Sequence, residues 1–456
     1  MAGETDPLAT EQPPLSAGDL PAELPGELIA PEVAALEVPP ELVAQSLGEY
    51  VRAWGARIRG GDPGVLPVIL GLAIIAVLFQ IVSPGNVFLS AGNLVNLFQQ
   101  SAVFMVLGMA EIFVLLLGEI DLSTGYVAGL AGVIGVQLVQ PVTTNFPWWV
   151  AIMAALLACA VIGAAQGTLV ARLRLPSFVV TLGGNLIFNG VMLWALLFGP
   201  FSGYPTLGDQ TNPHVLYQLM WGTIDPLIGW IILTALVVVV GGSFWLRDSR
   251  RRRSGLVAPP VSLTALKIVL IAVVGAAVVA ICNINRAHFG TIEGVPWVIL
   301  IVIGLLGLWT VLLQRTRFGR YIYAIGGNPE ASRRAGINLV RVRTLAFVLC
   351  SMTAGLAGLL YVANQGGASN NFPGGQYVLY AVAAAVIGGT SLFGGRGRVL
   401  HGVLGGLVIG GINNGLYLLG LDVKVQFVVT GFVLLAAVTI DALSRRGASV
   451  GSVAHI

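Results

Sequence analysis

Polar and apolar residues fall along this chain in long blocks rather than in short periods. The first 50 residues hold ten acids, eight prolines and no basic residue. Low hydrophobicity with one-sided charge predicts a disordered acidic tail, here drawn over residues 1–60. From Val65 onward about twelve apolar runs approach the ~20 residues that a helix needs to cross a bilayer. They are Val65–Ser83, Ser101–Leu117, Tyr126–Val139, Trp148–Val170, Phe178–Phe198, Leu227–Leu246, Ile268–Cys282, Val295–Leu313, Val342–Ala363, Tyr377–Ile387, Val399–Leu419 and Val423–Leu443. The pattern predicts an all-α, polytopic membrane protein with about twelve transmembrane helices over residues 61–446, then a short tail over 447–456. Tyr126–Val139 and Tyr377–Ile387 are short and glycine-edged, so these segments are expected to be broken or re-entrant. Asn86–Gln100 is too polar to span and reads as an amphipathic helix at the outer interface. Phe201–Pro226, without Lys or Arg, reads as the longest outer loop.

Composition sharpens this reading. Apolar residues make up 56% of the chain and charged residues 10%, against about a quarter charged in a soluble domain. With the N-terminus inside, Arg52, Arg57, Arg59, Arg172, Arg174, Arg247, Arg250–Arg253, the Gln314–Arg343 segment, Arg396, Arg398, Arg445 and Arg446 all fall inside. Only Arg286 and Lys424 fall outside, so both termini are expected in the cytoplasm. The arginines are spread through loops between apolar runs, and the net charge of +3 gives no reason to expect nucleic acid. Cys159, Cys282 and Cys350 lie inside apolar runs as small packing residues, and no metal-ligand spacing is present.

Two stretches carry candidate chemistry. Gly118-Glu-Ile-Asp-Leu-Ser-Thr-Gly125 joins one apolar run to the next. An ionised carboxylate near mid-bilayer costs at least ~2.5–3.5 kcal/mol, so Glu119 and Asp121 need water or partners. One reading is a broken helix lining a solute path, with Asp121 and Ser123 holding the backbone and Thr124 helping to cap the next helix. The other is an ordinary cytoplasmic turn with an N-cap. Glu111 lies deeper in its run, as a buried hydrogen-bonded acid or one facing a polar cavity.

The second stretch is Gln314–Arg343, with seven arginines against the single acid Glu330. Asn328 can cap a helix, Pro329 suits its first position, Glu330 favours its positive end and Gly336 can stop it. Such a helix offers a surface to a cytoplasmic partner, or belongs to a loop that only fixes topology. The chain's lysines, Lys267 and Lys424, fit no G-x-x-x-x-G-K-[ST] phosphate loop, so no ATP hydrolysis by that route is expected from this polypeptide. A faint echo is also present. Gln166-Gly167 precedes Phe178-Val-Val-Thr181 much as Asn414-Gly415 precedes Phe427-Val-Val-Thr430, in opposite orientations, as in inverted repeats.

Arg317–Ile337, Ile120–Ser123, Val386–Arg398 and Ile412–Leu416, in this order and spacing, resemble monosaccharide ABC importer permeases of the ribose/xylose type. The resemblance spans most of Val65–Leu443. It implies a cell inner-membrane permease, not itself an enzyme, that pairs with a second copy of itself. The implied partners are a cytoplasmic ATPase subunit with two nucleotide-binding cassettes, which holds the ATP and Mg, and an extracytoplasmic sugar-binding protein. Asn328, Pro329, Glu330, Ala331, Arg333, Arg334 and Gly336 would form the ATPase-coupling helix. Glu119, Asp121, Ser123, Thr124, Asn185, Asn189, Asn413 and Asn414 are the substrate-pathway candidates. Many relatives carry glycine where Glu119 stands, and shorter ones lack most of Asp225–Gly290, an extra helix pair. Longer, xylose-type members share both features, which makes a pentose, xylose first, the expected substrate. The alternative is an ion-coupled secondary transporter acting without an ATPase. For that, Glu111, Glu119 and Asp121 are the only clustered acids.

Overall fold

The computed structural model describes residues 47–59, 64–141, 143–198, 203–208, 211–256, 258–287, 290–422 and 424–432, with 435 and 439. Its helices are α1 (Leu47–Arg59), α2 (Leu66–Val82), α3 (Ala91–Leu115), α4 (Thr124–Leu138), α5 (Trp148–Leu173), α6 (Ser177–Leu197), α7 (Thr211–Trp221), α8 (Pro226–Arg253), α9 (Val261–Cys282), α10 (Trp297–Arg315), α11 (Arg317–Gly327), α12 (Pro329–Arg334), α13 (Leu339–Gln365), α14 (Gly374–Ile387) and α15 (Val399–Leu418). Every apolar run before Val423 falls on one of them. The run from Val423 is described mainly over its start, which is also helical. Eight helices are long and apolar enough to cross a membrane: α3, α5, α6, α8, α9, α10, α13 and α15. The apolar helices α2, α4 and α14 are shorter. Within the expected N-terminal tail, Leu47–Arg59 is helical, and residues 1–46 lie outside the described residues.

The bundle is organised around α3. In its most apolar stretch 89% of residues are buried inside the protein, against 11% in α8 and in α9. A helix apolar all round belongs in the middle of a bundle, and one with lipid-compatible faces at its edge. The most extensive helix contacts are α13 on α5 and α15 on α3, with α4 and α14 filling between them. Glycine makes these approaches possible. Gly402, Gly406 and Gly410, four residues apart on α15, back onto Gly108, Met105 and Ser101 of α3. Gly163 and Gly167 of α5 back onto Phe347 and Thr344 of α13. Small residues at this spacing let helix backbones touch where lipid gives no hydrophobic drive for association.

These contacts give the echo a structural form. The first long helix of each half, α3 or α13, is gripped by the third helix of the other half. The pairings run antiparallel, so α5 descends toward the arginine-bearing end while α15 climbs away from it. Gln166, Thr181, Asn414 and Thr430, the echoing polar positions, are all buried. The two halves are arranged as inverted repeats.

Two expected surface segments fold inward instead. Asn86–Gln100 is not a separate interfacial helix: Ser90 caps α3, which runs unbroken from Ala91 to Leu115. Its polar residues find protein rather than headgroups, with Asn93 Nδ2 donating to Asn414 Oδ1 (2.9 Å) and Gln99 Nε2 to the Met220 carbonyl (2.9 Å). The expected outer loop carries α7, whose Leu216 and Met220 are buried and whose Trp221 indole donates to the Ala363 carbonyl at 3.1 Å. Between α7 and α10, the antiparallel pair β1 (Thr223–Ile224) and β2 (Val295–Pro296) closes the α8–α9 hairpin. Inside that hairpin Thr264 Oγ1 donates to the buried Asp248 at 2.9 Å.

Candidate functional site

The short helices α4 and α14 both begin in the interior and run to opposite ends of the bundle. Their first turns meet so closely that a Cβ on Gly125 would overlap the Gly374 carbonyl oxygen. The chain enters α4 through residues 116–123, and here the sequence-predicted residues gather. Asp121 Oδ1 accepts from the Ser123 amide (2.9 Å) and hydroxyl (2.6 Å), a side-chain turn that aims the chain into α4. The Ser123 proton is committed to Asp121, so Gln166 Nε2 of α5 donates to the Ser123 oxygen at 3.0 Å. Thr124 Oγ1 lies 2.9 Å from Glu111 Oε1 and 3.3 Å from the Asp121 carbonyl. Glu111, Asp121, Ser123 and Thr124 are fully buried. Glu111 Oε2 and Asp121 Oδ2 have no hydrogen-bond partner among the described residues.

The backbone of this break is held from one face of α6. Ser177 Oγ accepts from the Ile120 amide (3.3 Å), Thr181 Oγ1 accepts from the Leu122 amide (2.9 Å), and Asn185 Nδ2 donates to the Leu122 carbonyl (2.7 Å). A buried break must satisfy its free amides and carbonyls, and this stripe does so. Asn185 thus belongs to the break by contact. Asn189, one turn further, is half-buried with no hydrogen bond to a described residue. Ser177, Thr181 and Gln166 were missed from sequence, although the four-residue spacing Ser177, Thr181, Asn185, Asn189 along an apolar helix was there to read.

The other candidates lie apart. Glu119 is mostly buried at the arginine-bearing end, with Oε1 3.5 Å from an Arg343 guanidinium nitrogen. Asn414 sits toward the opposite end, accepting from Asn93 and donating to Gln100 Oε1 at 3.3 Å. Asn413 is half-buried, and its amide nitrogen has no partner among the described residues.

At the arginine-bearing end the short helix has the caps its sequence calls for. Asn328 Oδ1 accepts from the Ala331 amide at 2.9 Å, Pro329 takes the first position, and Gly336 follows with φ of 80°. Arg333 pairs with Glu330 at 2.7 Å with both side chains well exposed, and Arg334 is exposed too, whereas Ser332 turns inward. Helix α11, immediately before, is bound into the bundle. Gly326 abuts the Leu116 carbonyl, which also accepts from the Gly395 amide at 2.9 Å. Tyr323 donates to the Gly397 carbonyl at 2.8 Å. Burial pushes the Tyr323 phenol above its ordinary pKa, partly offset by Arg398, so the donor stays protonated. Leu116 opens the loop that leads to Asp121. The exposed helix and the buried break are therefore a few residues of packed backbone apart.

Interlocked halves that run in opposite directions, two short helices that meet inside the bundle, a buried polar break and eight helices long and apolar enough to cross a membrane mark a multi-pass membrane transport protein. Residues 93–438 match the permease component of the branched-chain amino acid transport system, and the chain belongs to that family. Among its relatives, the xylose transport system permease protein of Haemophilus influenzae is 32% identical over 397 residues, covering 86% of this chain and 99% of that protein. The xylose permease of Escherichia coli K12 is 33% identical, covering 82% of this chain and 91% of its own length. The E. coli K12 ribose import permease is 30% identical, with 82% and 92% covered. No solved structure matches the chain.

Proposed function

We propose that this protein is the membrane-spanning subunit of an ATP-driven sugar importer, with a pentose, xylose first, as its substrate. The observation that carries the reading is the placement of α12. This small capped helix stands at the arginine-bearing end with Glu330, Arg333 and Arg334 exposed, and the preceding helix rests through Gly326 on the chain leading to the break. Asn328, Pro329, Glu330, Ala331, Arg333, Arg334 and Gly336 form the contact for a cytoplasmic ATPase carrying two nucleotide-binding cassettes. ATP and Mg belong to that partner. Closure of the ATPase moves α11 and α12, and the push reaches residues 116–123 and the start of α4. Alternating access follows when the two inverted halves shift about their glycine-packed contacts. A sugar-binding protein delivers solute from the extracytoplasmic side, and a second copy of the chain completes the path. The relatives named for xylose support the choice of pentose.

The test is reconstitution in liposomes with the ATPase and the binding protein. Glu330→Ala combined with Arg334→Ala changes only exposed side chains, so melting should shift by less than about 0.5 kcal/mol in stability. ATP-dependent xylose uptake should fall at least about tenfold while basal hydrolysis continues. Unaltered uptake in the double variant would remove the coupling role. Uptake by wild-type vesicles without any ATPase would instead favour ion coupling through the buried acids.

A further inference from the structure

Three half-buried tyrosines gather at one place in the bundle with their hydroxyls free of hydrogen bonds among the described residues. Tyr126 lies in the first turn of α4, Tyr361 near the end of α13 and Tyr377 in the first turn of α14. Phe372, in the break leading into α14, stands among them. Its ring centre is 4.7 Å from Tyr361, 5.7 Å from Tyr377 and 6.5 Å from Tyr126, and Tyr361 and Tyr377 are 5.4 Å apart. Phe104 of α3 closes the back, 5.5 Å from Tyr377. Four helices and a break thus contribute rings to one place, beside the junction of the two short helices.

Core packing alone accounts for this poorly. Phe113 and Phe347 show what core aromatics look like here, fully buried and without a polar end to satisfy. Tyr126, Tyr361 and Tyr377 are half-buried, and none hydrogen-bonds a described residue through its hydroxyl. Neighbouring aromatics do find partners: Tyr380 receives the Gln376 amide and Trp221 reaches Ala363. Their hydroxyls are not sealed from solvent, so three free phenols around one ring cluster are available to an occupant with hydroxyls of its own. The polar stripe of α6 leads to the same place. Met192, three residues beyond Asn189, shares the flanks of Gly129 with the Phe372 ring.

We propose that Tyr126, Tyr361, Phe372 and Tyr377 form the station at which the translocated sugar is held within the permease. The inference rests on the sugar-importer reading above and gives that reading a site. An uncharged pyranose suits it, with apolar ring C–H faces to lay on aromatic rings and hydroxyls to pair with the phenols. Charge is absent from the cluster, whereas in the other break Asp121 holds the Ser123 amide and Glu119 faces Arg343. The Asp121 break is then the support, and the rings are the contact.

The experiment uses the full transporter in liposomes, with ATPase and binding protein, and D-xylose as the probe. Tyr361→Phe with Tyr377→Phe keeps the rings and removes two hydroxyls. The expected result is a maximal uptake rate lower by about tenfold, the scale of one to two lost hydrogen bonds. ATP hydrolysis stimulated by the loaded binding protein should stay within twofold, because coupling lies elsewhere; a merely structural role would lower both together. The single Phe variants of Tyr126, Tyr361 and Tyr377 decide the matter if the double variant does not assemble. Tyr417→Phe, on an exposed face of α15, is the control and should leave uptake unchanged. Full uptake by the Phe variants and by Tyr377→Leu, alongside active wild type, would overturn the station and leave the importer reading standing. Wild-type transporter that moves neither xylose nor any other monosaccharide would overturn both.

Discussion

The two breaks, residues 116–123 before α4 and 366–373 before α14, occupy matching places in the inverted halves but are built from opposite materials. The first is dense with buried polar groups: Asp121, Ser123 and Thr124 bond one another, and Ser177, Thr181 and Asn185 stitch their backbone to α6. The second holds no acid, exposes Ser369, Asn370 and Asn371, and turns Phe372 inward among tyrosines. The first break is locked by side-chain hydrogen bonds, while the second ties only its backbone to residues 205–207 and is lined by rings. The locked break also touches the arginine-bearing end through Leu116. Under the proposed function, the first break would transmit a push without deforming and the second would accommodate the solute.

The largest effect tests the point where the breaks meet. Gly125→Val would drive a branched side chain into the Gly374 carbonyl, which neither backbone can yield. Overpacking of this kind costs about 3 kcal/mol or more, and little monodisperse protein should survive detergent extraction. Next comes the contrast itself. Asp121→Ala strips the Ser123 amide of its acceptor at a fully buried site and should cost about 2–4 kcal/mol in thermal unfolding. Asn371→Ala, at the exposed break, should cost less than about 0.5 kcal/mol in the same measurement. Equal losses at both positions would erase the distinction between the locked break and the ring-lined one. The smallest effect is at Glu119. Its pair with Arg343 is partly solvated, so Glu119→Gln should lower stability by no more than about 1 kcal/mol, with the shift shrinking in high salt.

Much of this was legible in the chain, and the limits have physical causes. Run length revealed the helices, and the two glycine-edged runs announced α4 and α14 as short. Asn328, Pro329 and Gly336 act within one turn of their own backbone, so their caps could be read locally. Asp121 and Ser123 were legible for the same reason. What escaped were partners brought together only by folding. Ser177 and Thr181 serve a break more than fifty residues earlier in sequence, with separations of 57 and 59. Asn86–Gln100 looked interfacial because sequence polarity does not say whether water, headgroups or another helix will satisfy it. Here Asn414, 321 residues away, does. The ring cluster was invisible for the same reason, since each aromatic alone is an ordinary apolar residue.

The ribbon between Thr223–Ile224 and Val295–Pro296 carries a consequence of a different kind. The strands pair antiparallel, with Ile224 opposite Val295, so the polypeptide leaves and re-enters the bundle through one doorway. Everything between, the α8–α9 hairpin with its arginine-tipped end and largely exposed apolar sides, hangs on that doorway. Excising it with a tight turn across the ribbon would leave the remaining helices connected, but would uncover the face of α3 that Val279 and Cys282 cover at Val95 and Phe98.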